Sequence, residues 1–234
     1  MMEIRRSADR GHANHGWLDS HHTFSFAGYY DPRFMGFSHL RVINHDRVEA
    51  GQGFGTHPHR NMEIVSYVVD GGLEHRDTLG TGSVIRPGDV QLMSAGSGIA
   101  HSEYNHSAEA PVEFLQIWVL PKESGGRPGY QQADFGRDPG LRLVVSPEGR
   151  DGSLAIKQDM DLWRVLAPTE PGWTASLAVK RARAWVQIVR GTLDVNGVRL
   201  YAGDGLAVTG DGAKPVLELV APEGQVEALV FDLV

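Results

Sequence analysis

Tyr67-Val68-Val69-Asp70-Gly71-Gly72-Leu73 returns in altered form as Gln187-Ile188-Val189-Arg190-Gly191-Thr192-Leu193. Each copy is a β-rich run that ends on a glycine turn, and each is followed by a Gly-Asp pair, Gly88-Asp89 and Gly203-Asp204. Two landmarks that agree in order predict a duplicated unit. Outward from the two copies the pattern continues. Short β-rich segments (Glu63 to Val69, Phe114 to Leu120, Trp185 to Val189, Leu217 to Val220) alternate with turns supplied by 29 Gly and 12 Pro. Many short strands with frequent turn signals specify a sandwich or barrel, and no long stretch has the 3.6-residue period of a helix. Asn196-Gly197, set between apolar residues, predicts a hairpin. Pro121 to Gly140, with Gly125-Gly126, Pro128 and Pro139, reads as a linker. The expected architecture is all-β, with two jelly-roll-like β-barrel domains in tandem over residues 1–134 and 135–234. At ~100–200 residues per domain, 234 residues accommodate two small ones.

The bulk numbers exclude several classes of function. A net charge of -7 disfavours non-specific attraction to nucleic acid or to an anionic membrane. No stretch reaches the ~18 apolar residues needed to span a bilayer. The opening Met1-Met2-Glu3-Ile4-Arg5-Arg6 leads into polar residues rather than the apolar region of a signal peptide. The chain has no cysteine, so disulfides and thiolate-bound zinc are excluded, and the expected location is the cytoplasm. All 11 histidines lie at or before His106. The two halves therefore carry different chemistry.

His57-Pro58-His59 places two imidazoles on one face of a strand, because residues two apart point the same way. His101-Ser102-Glu103 repeats that geometry. Two such pairs on neighbouring strands of one barrel form a set of three nitrogens and one carboxylate. The set suits one divalent transition metal, with Fe, Mn, Co, Ni, Cu and Zn all open. Gly51, Glu63, Gly71 and Pro87-Gly88-Asp89 surround these pairs and resemble the two motifs of the cupin superfamily. Two spacings depart from it: seven residues separate Glu63 from Gly71, and the Pro-Gly pair lies well upstream of His101.

Three stretches narrow the resemblance. They are Thr56-His57-Pro58-His59-Arg60, the run from Ser94-Ala95-Gly96 to His101-Ser102-Glu103, and the opening from Arg10-Gly11-His12 to Tyr30-Asp31-Pro32. Together they resemble the pirin family, and more narrowly its bacterial members described as quercetin 2,3-dioxygenases. The resemblance implies a bicupin whose N-terminal barrel binds the metal through His57, His59, His101 and Glu103. It implies that Glu63 stays outside the ligand set, either orienting a ligand histidine or serving as a structural carboxylate. With Gly191 placed on Gly71, Leu177, Val179 and Arg183 stand at the positions of His57, His59 and Glu63, so the C-terminal barrel is expected to hold no metal.

The family's activity would be dioxygen-dependent cleavage of the flavonol heterocycle. Oxygen adds at C2 and C4, and C3 leaves as carbon monoxide. Glu103 is the expected catalytic base, being the carboxylate of the ligand set. The substrate class comes from the resemblance alone, and no substrate-binding residue is assigned. The alternative is a non-enzymatic, metal-dependent regulator acting through a protein partner. A sugar-phosphate isomerase ranks third, since Arg60 is the sole charged neighbour of the ligands. The run His12, His15, His21 and His22 beside Trp17, Phe24 and Phe26 reads as an aromatic arm packed on the barrel, with a second metal site as the other possibility. His39, His45, His75 and His106 read as isolated surface or hydrogen-bonded residues. Arg181-Ala182-Arg183 reads as a solvated strand face. Gly51-Gln52-Gly53-Phe54-Gly55 lacks the following helix of a phosphate loop.

Overall fold

The computed structural model describes residues 1–234. In chain order the first twelve strands are β1 (Met2–Arg5), β2 (Gly11–Asn14), β3 (Leu18–His22), β4 (Leu40–Val48), β5 (Gly53–His59), β6 (Glu63–Asp70), β7 (Leu73–Asp77), β8 (Gly82–Ile85), β9 (Asp89–Ser94), β10 (Ile99–Asn105), β11 (Val112–Val119) and β12 (Gly129–Asp134). The remainder are β13 (Gly140–Ser146), β14 (Leu154–Ala155), β15 (Met160–Ala167), β16 (Trp173–Ala178), β17 (Arg183–Arg190), β18 (Thr192–Val195), β19 (Val198–Tyr201), β20 (Gly205–Thr209), β21 (Val216–Ala221) and β22 (Val226–Leu233). Two single 3-10 turns, Ser7–Asp9 and Arg150–Gly152, complete the set of elements. The chain is all-β, as the sequence predicts.

Two compact units divide the chain, Gly11–Gly136 with Ile156–Gln158, and Met1–Arg10 with Arg137–Ala155 and Asp159–Val234. Each contains one seven-stranded and one four-stranded sheet. In the first unit the orders are β12-β9-β6-β11-β4-β3-β2 and β5-β10-β7-β8. In the second they are β1-β20-β17-β22-β15-β13-β14 and β16-β21-β18-β19. The repeated sequence occupies matching places. β6 runs between β9 and β11, and β17 runs between β20 and β22. The glycine of each copy makes the same turn, Gly71 at φ 78 and Gly191 at φ 80, where a side chain would be strained. A Cβ would also meet the Pro111 carbonyl oxygen at 3.0 Å or that of Gln225 at 2.3 Å.

The edge strands depart from the sequence expectations. Within the expected linker, Gly129–Asp134 is a strand paired residue by residue with β9. The equivalent edge of the other unit is β1, which pairs with β20 from the far end of the chain. The Asn196-Gly197 hairpin forms as expected, with both residues at positive φ between β18 and β19. Arg181 corrects the reading of a solvated basic face. Its guanidinium is largely buried and bonds Asp159, 2.6 Å from Oδ1, with Asp161 and Asp232 close by.

The two interiors are filled differently. One apolar cluster runs through the second unit, including Leu177, Val179, Val186, Ile188, Leu193, Val195, Leu217 and Leu219. The first unit includes smaller clusters around Phe114 and around Met93, and further buried apolar residues such as Ile43, Val65 and Ile117. Its interior also contains buried Glu63, Ser66, His75, Gln91, His101, Glu103 and Gln116.

Candidate metal centre

Three neighbouring strands of the first unit's four-stranded sheet build the site. β10 lies between β5 and β7, with His101 opposite His57 on one side and opposite Asp77 on the other. Glu103 lies opposite His75. Two-residue spacing keeps side chains on one face, so three pairs share the interior: His57 with His59, His101 with Glu103, and His75 with Asp77. The β5–β10 register shifts between His101 and Glu103, placing Glu103 opposite Phe54. Gly53 permits this irregularity, since a Cβ there would meet the Glu103 carbonyl oxygen at 2.3 Å.

The three imidazoles expected from sequence converge. Ring centroids are 4.5 Å apart for His57 and His101, 4.8 Å for His57 and His59, and 4.9 Å for His59 and His101. One nitrogen from each lies within 4.8 Å of the others. Glu103 groups by the same measure with His101 and His75 rather than with His57 and His59. Its carboxylate is fixed by its neighbours. Gln116 Nε2 donates to Oε2 at 2.6 Å and Ser66 Oγ donates to Oε1 at 3.2 Å.

The free nitrogens test whether a metal fits. His57 Nδ1 donates to the Gly55 carbonyl at 2.8 Å, which leaves Nε2 unprotonated for another role. His101 Nδ1 lies 3.4 Å from His75 Nδ1, while its Nε2 is buried with no hydrogen-bond partner. A buried polar atom left unsatisfied costs about 1–3 kcal/mol, so this nitrogen calls for a partner. Burial and the neighbouring imidazoles depress the pKa of His59 to about 4 and of His101 to about 3. Both rings are therefore neutral at pH 7, the state in which imidazole ligates a metal. Neutral nitrogens and one carboxylate fit a single divalent transition ion.

The histidines open onto a cavity of about 650 Å³ whose walls include Phe26, Tyr29, Phe54 and Trp118. That size suits a small organic molecule. The N-terminal histidine run belongs to this cavity. His12, His15 and His22 line it. His12 stacks on His21 with centroids 4.5 Å apart and bonds Asp19 at 2.6 Å. The expected packing arm is thus a cavity wall, made by the β2–β3 hairpin at the end of the large sheet.

Sequence reasoning missed a polar set on the floor of the cavity. Asp46 is buried, accepts a short hydrogen bond from Ser20 Oγ, and Ser20 in turn meets His22 Nε2 at 2.9 Å. Burial pushes the Asp46 carboxyl up to about 7, assisted by the charge of Glu103 and opposed by the Ser20 bond. Glu63 bonds Ser94 Oγ at 2.7 Å and the Lys157 amide at 3.3 Å, not a histidine, which makes it a structural carboxylate. His75 is neither isolated nor exposed. It is fully buried against His101, whereas His45 and His106 bond Glu113 and Glu74. The signal that could have found His75 is His75-Arg76-Asp77, a third pair with the two-residue spacing.

Comparisons with known proteins bear on the family and the fold. A family model described as "Pirin" matches residues 3–119, and one described as "Quercetinase C-terminal cupin domain" matches residues 143–233. The chain is 49% identical over 233 residues to the quercetin 2,3-dioxygenase of Escherichia coli (strain K12), covering 100% of this chain and 99% of that protein. A pirin-like protein of Caulobacter vibrioides is 42% identical, with 88% of this chain and 90% of that protein covered. Among solved structures, the bacterial pirin YhhW of Escherichia coli in complex with nickel(II) superposes with a TM-score of 0.93 at 48% identity, covering 100% of this chain and 99% of that one. No helix here is long and apolar enough to cross a membrane.

Proposed function

The chain belongs to the pirin family, and on that premise we propose that it is a metal-dependent dioxygenase that cleaves the heterocycle of flavonols such as quercetin and releases carbon monoxide. The ligands of one divalent transition metal are His57, His59, His101 and Glu103. The observation that carries this reading is the unpartnered, buried Nε2 of His101 within a histidine cluster that opens onto an aromatic-walled cavity. A closed structural site has no use for such a cavity. We place the reaction in the cytoplasm, consistent with a chain that has no cysteine.

A bound divalent ion supplies a Lewis acid that makes a coordinated hydroxyl more acidic and, if redox-active, a route for electrons to dioxygen. The protein's own groups do the rest. The Gly55 carbonyl holds His57 in the tautomer that ligates through Nε2. Phe26, Tyr29, Phe54 and Trp118 bind the flat ring system and exclude water. Glu103, aimed by Gln116 and Ser66, takes the proton of the flavonol 3-hydroxyl. Dioxygen adds across C2 and C4, the C2–C3 and C3–C4 bonds break, and C3 leaves as carbon monoxide. Both atoms of dioxygen remain in the depside, which recovers the proton from Glu103.

Quercetin should lose its yellow absorbance in the presence of protein, metal and oxygen, with carbon monoxide formed in step. Glu103→Gln keeps the shape and one ligating oxygen but removes the base. Turnover should fall by about 10²–10⁴-fold while metal is retained at least in part. A Glu103→Gln protein with full metal and full rate rules out the base. A native protein that binds metal and turns over no flavonol with Fe, Mn, Co, Ni or Cu rules out the activity.

A further inference from the structure

Behind His101, on the side away from the cavity, lies a pair that the reaction above does not use. His75 and Asp77 have fully buried side chains, which is costly for an ionisable pair unless it is well bonded. Asp77 Oδ1 accepts from the Leu79 amide at 2.8 Å and the Thr81 amide at 3.1 Å. Its Oδ2 lies 3.0 Å from His75 Nε2. His75 Nδ1 then faces His101 Nδ1 at 3.4 Å, with Gln91 Nε2 at 3.5 Å. Tyr130 packs on the His75 ring with centroids 4.8 Å apart.

Proton assignment follows from one end of this chain. The carboxylate of Asp77 can only accept, so His75 carries its proton on Nε2. With the His75 ring neutral, its Nδ1 is then an acceptor facing both Gln91 Nε2 and His101 Nδ1, and the 3.4 Å contact between the two imidazoles is a hydrogen bond when His101 carries its own proton on Nδ1. The remaining nitrogen, His101 Nε2, has a free lone pair where His57 and His59 converge. We propose that Asp77 and His75 are positioning residues that set the tautomer of His101 and strengthen it as a metal donor. This rests on His101 being a ligand, as proposed above. An anion relayed through two imidazoles raises the basicity of the distal nitrogen, and partners of this kind typically matter by about 10–100-fold in metal affinity.

Asp77→Asn makes a directed test. The Leu79 and Thr81 amides need an acceptor, so the oxygen of the new carboxamide stays on their side and its NH₂ group faces His75. His75 Nε2 must then accept, Nδ1 becomes the protonated nitrogen, and His101 Nδ1 becomes an acceptor. The proton of His101 is driven onto Nε2, the nitrogen required for the metal. His75→Gln is the milder change. Asp77 holds its amide group and turns its oxygen toward His101, which preserves the tautomer without the relayed charge.

Two readouts decide the matter. In metal-free protein labelled with ¹⁵N-histidine, His101 should be the Nδ1–H tautomer in the native chain and in His75→Gln, and the Nε2–H tautomer in Asp77→Asn. The dissociation constant for Ni(II), measured by chelator competition, should rise by about 10–100-fold in Asp77→Asn and by less in His75→Gln. A native protein with His101 protonated at Nε2, or an Asp77→Asn variant with unchanged tautomer and unchanged Ni(II) affinity, overturns the proposal. A native protein with the Nδ1–H tautomer that takes up no Ni(II) upholds the tautomer control and overturns the ligand reading instead.

Discussion

The two four-stranded sheets have the same strand order and nearly opposite interiors. In the first unit His101 lies opposite His57, and Glu103 lies opposite His75. In the second, Leu217 lies opposite Leu177, and Leu219 lies opposite Val195. The four positions that form or back the proposed metal site on one scaffold are four aliphatic residues on its copy. The aliphatic set joins an apolar cluster of its unit, whereas the polar set stands beside a cavity. A barrel of this topology can thus be closed by packing alone, and in the first unit polar side chains replace aliphatic ones at these inward positions. The duplicated fold provides the frame, and side chains at a few inward positions decide which copy has chemistry.

Substitution at equivalent positions should break the symmetry most visibly. His57→Ala should abolish tight binding of the single metal per chain at neutral pH, because one of the four proposed ligands and the tautomer held by Gly55 are lost together. The fold should survive, since the apolar clusters and not the ion supply the core. Leu177→Ala should do the reverse, leaving metal content unchanged and costing about 2–5 kcal/mol of stability from the cavity it opens. Metal analysis and denaturant titration of the two variants measure both. Unchanged metal content in His57→Ala, or a second ion per chain in the native protein, would contradict the assignment of one site to one unit.

Converting the second interior toward the first should give a smaller effect. Leu177→His with Val179→His restores one pair of imidazoles, but Leu217 and Leu219 opposite offer no nitrogen or carboxylate. The double variant should acquire no tight second ion. It should lose about 1–3 kcal/mol for each imidazole buried without a partner. A stoichiometry of two ions from this variant would show that β21 contributes less to ligand geometry than its register implies.

Much of this contrast is legible in the amino-acid sequence, because it is written in the two-residue period of strands. His57 with His59 and His101 with Glu103 announce themselves as same-face pairs, and Leu177 with Val179 announces their absence. His75 with Asp77 has the same period yet escapes notice, since a histidine and an aspartate two apart are common on any solvated strand. Only the register of β7 against β10 distinguishes them. The β1–β20 pairing joins residues at opposite ends of the chain, and no local pattern encodes it. The strand Gly129–Asp134 is hidden by the Gly and Pro residues that precede it. The floor set of Ser20, His22 and Asp46 comes from strands β3 and β4, whose inward residues look like ordinary polar alternation until the cavity above them is seen.

The smallest expected effect concerns pH, and it separates two kinds of titrating group within the first unit. In metal-free protein His59 and His101 have native pKa values near 4 and 3, against 6.5 for an unperturbed histidine. As pH falls from about 6.5 toward 4, the unfolded chain takes up protons that these buried rings refuse, so they make stability rise with pH across that window. Asp46 acts in the opposite sense. Its native pKa is near 7 against 3.8 unperturbed, so between those values the native state holds a proton that the unfolded state has released, and stability falls as pH rises. Two histidines outweigh one aspartate, and metal-free protein should be less stable at pH 5 than at pH 7. Asp46→Asn keeps an acceptor for Ser20 while removing the opposing titration. The slope should steepen by up to about 1.4 kcal/mol per pH unit, one proton's worth. Denaturant midpoints at pH 5, 6 and 7 for the two proteins test this. An unchanged slope in Asp46→Asn would mean that Asp46 is ionised in the native state across this range and that the cavity floor is more polar than its burial indicates.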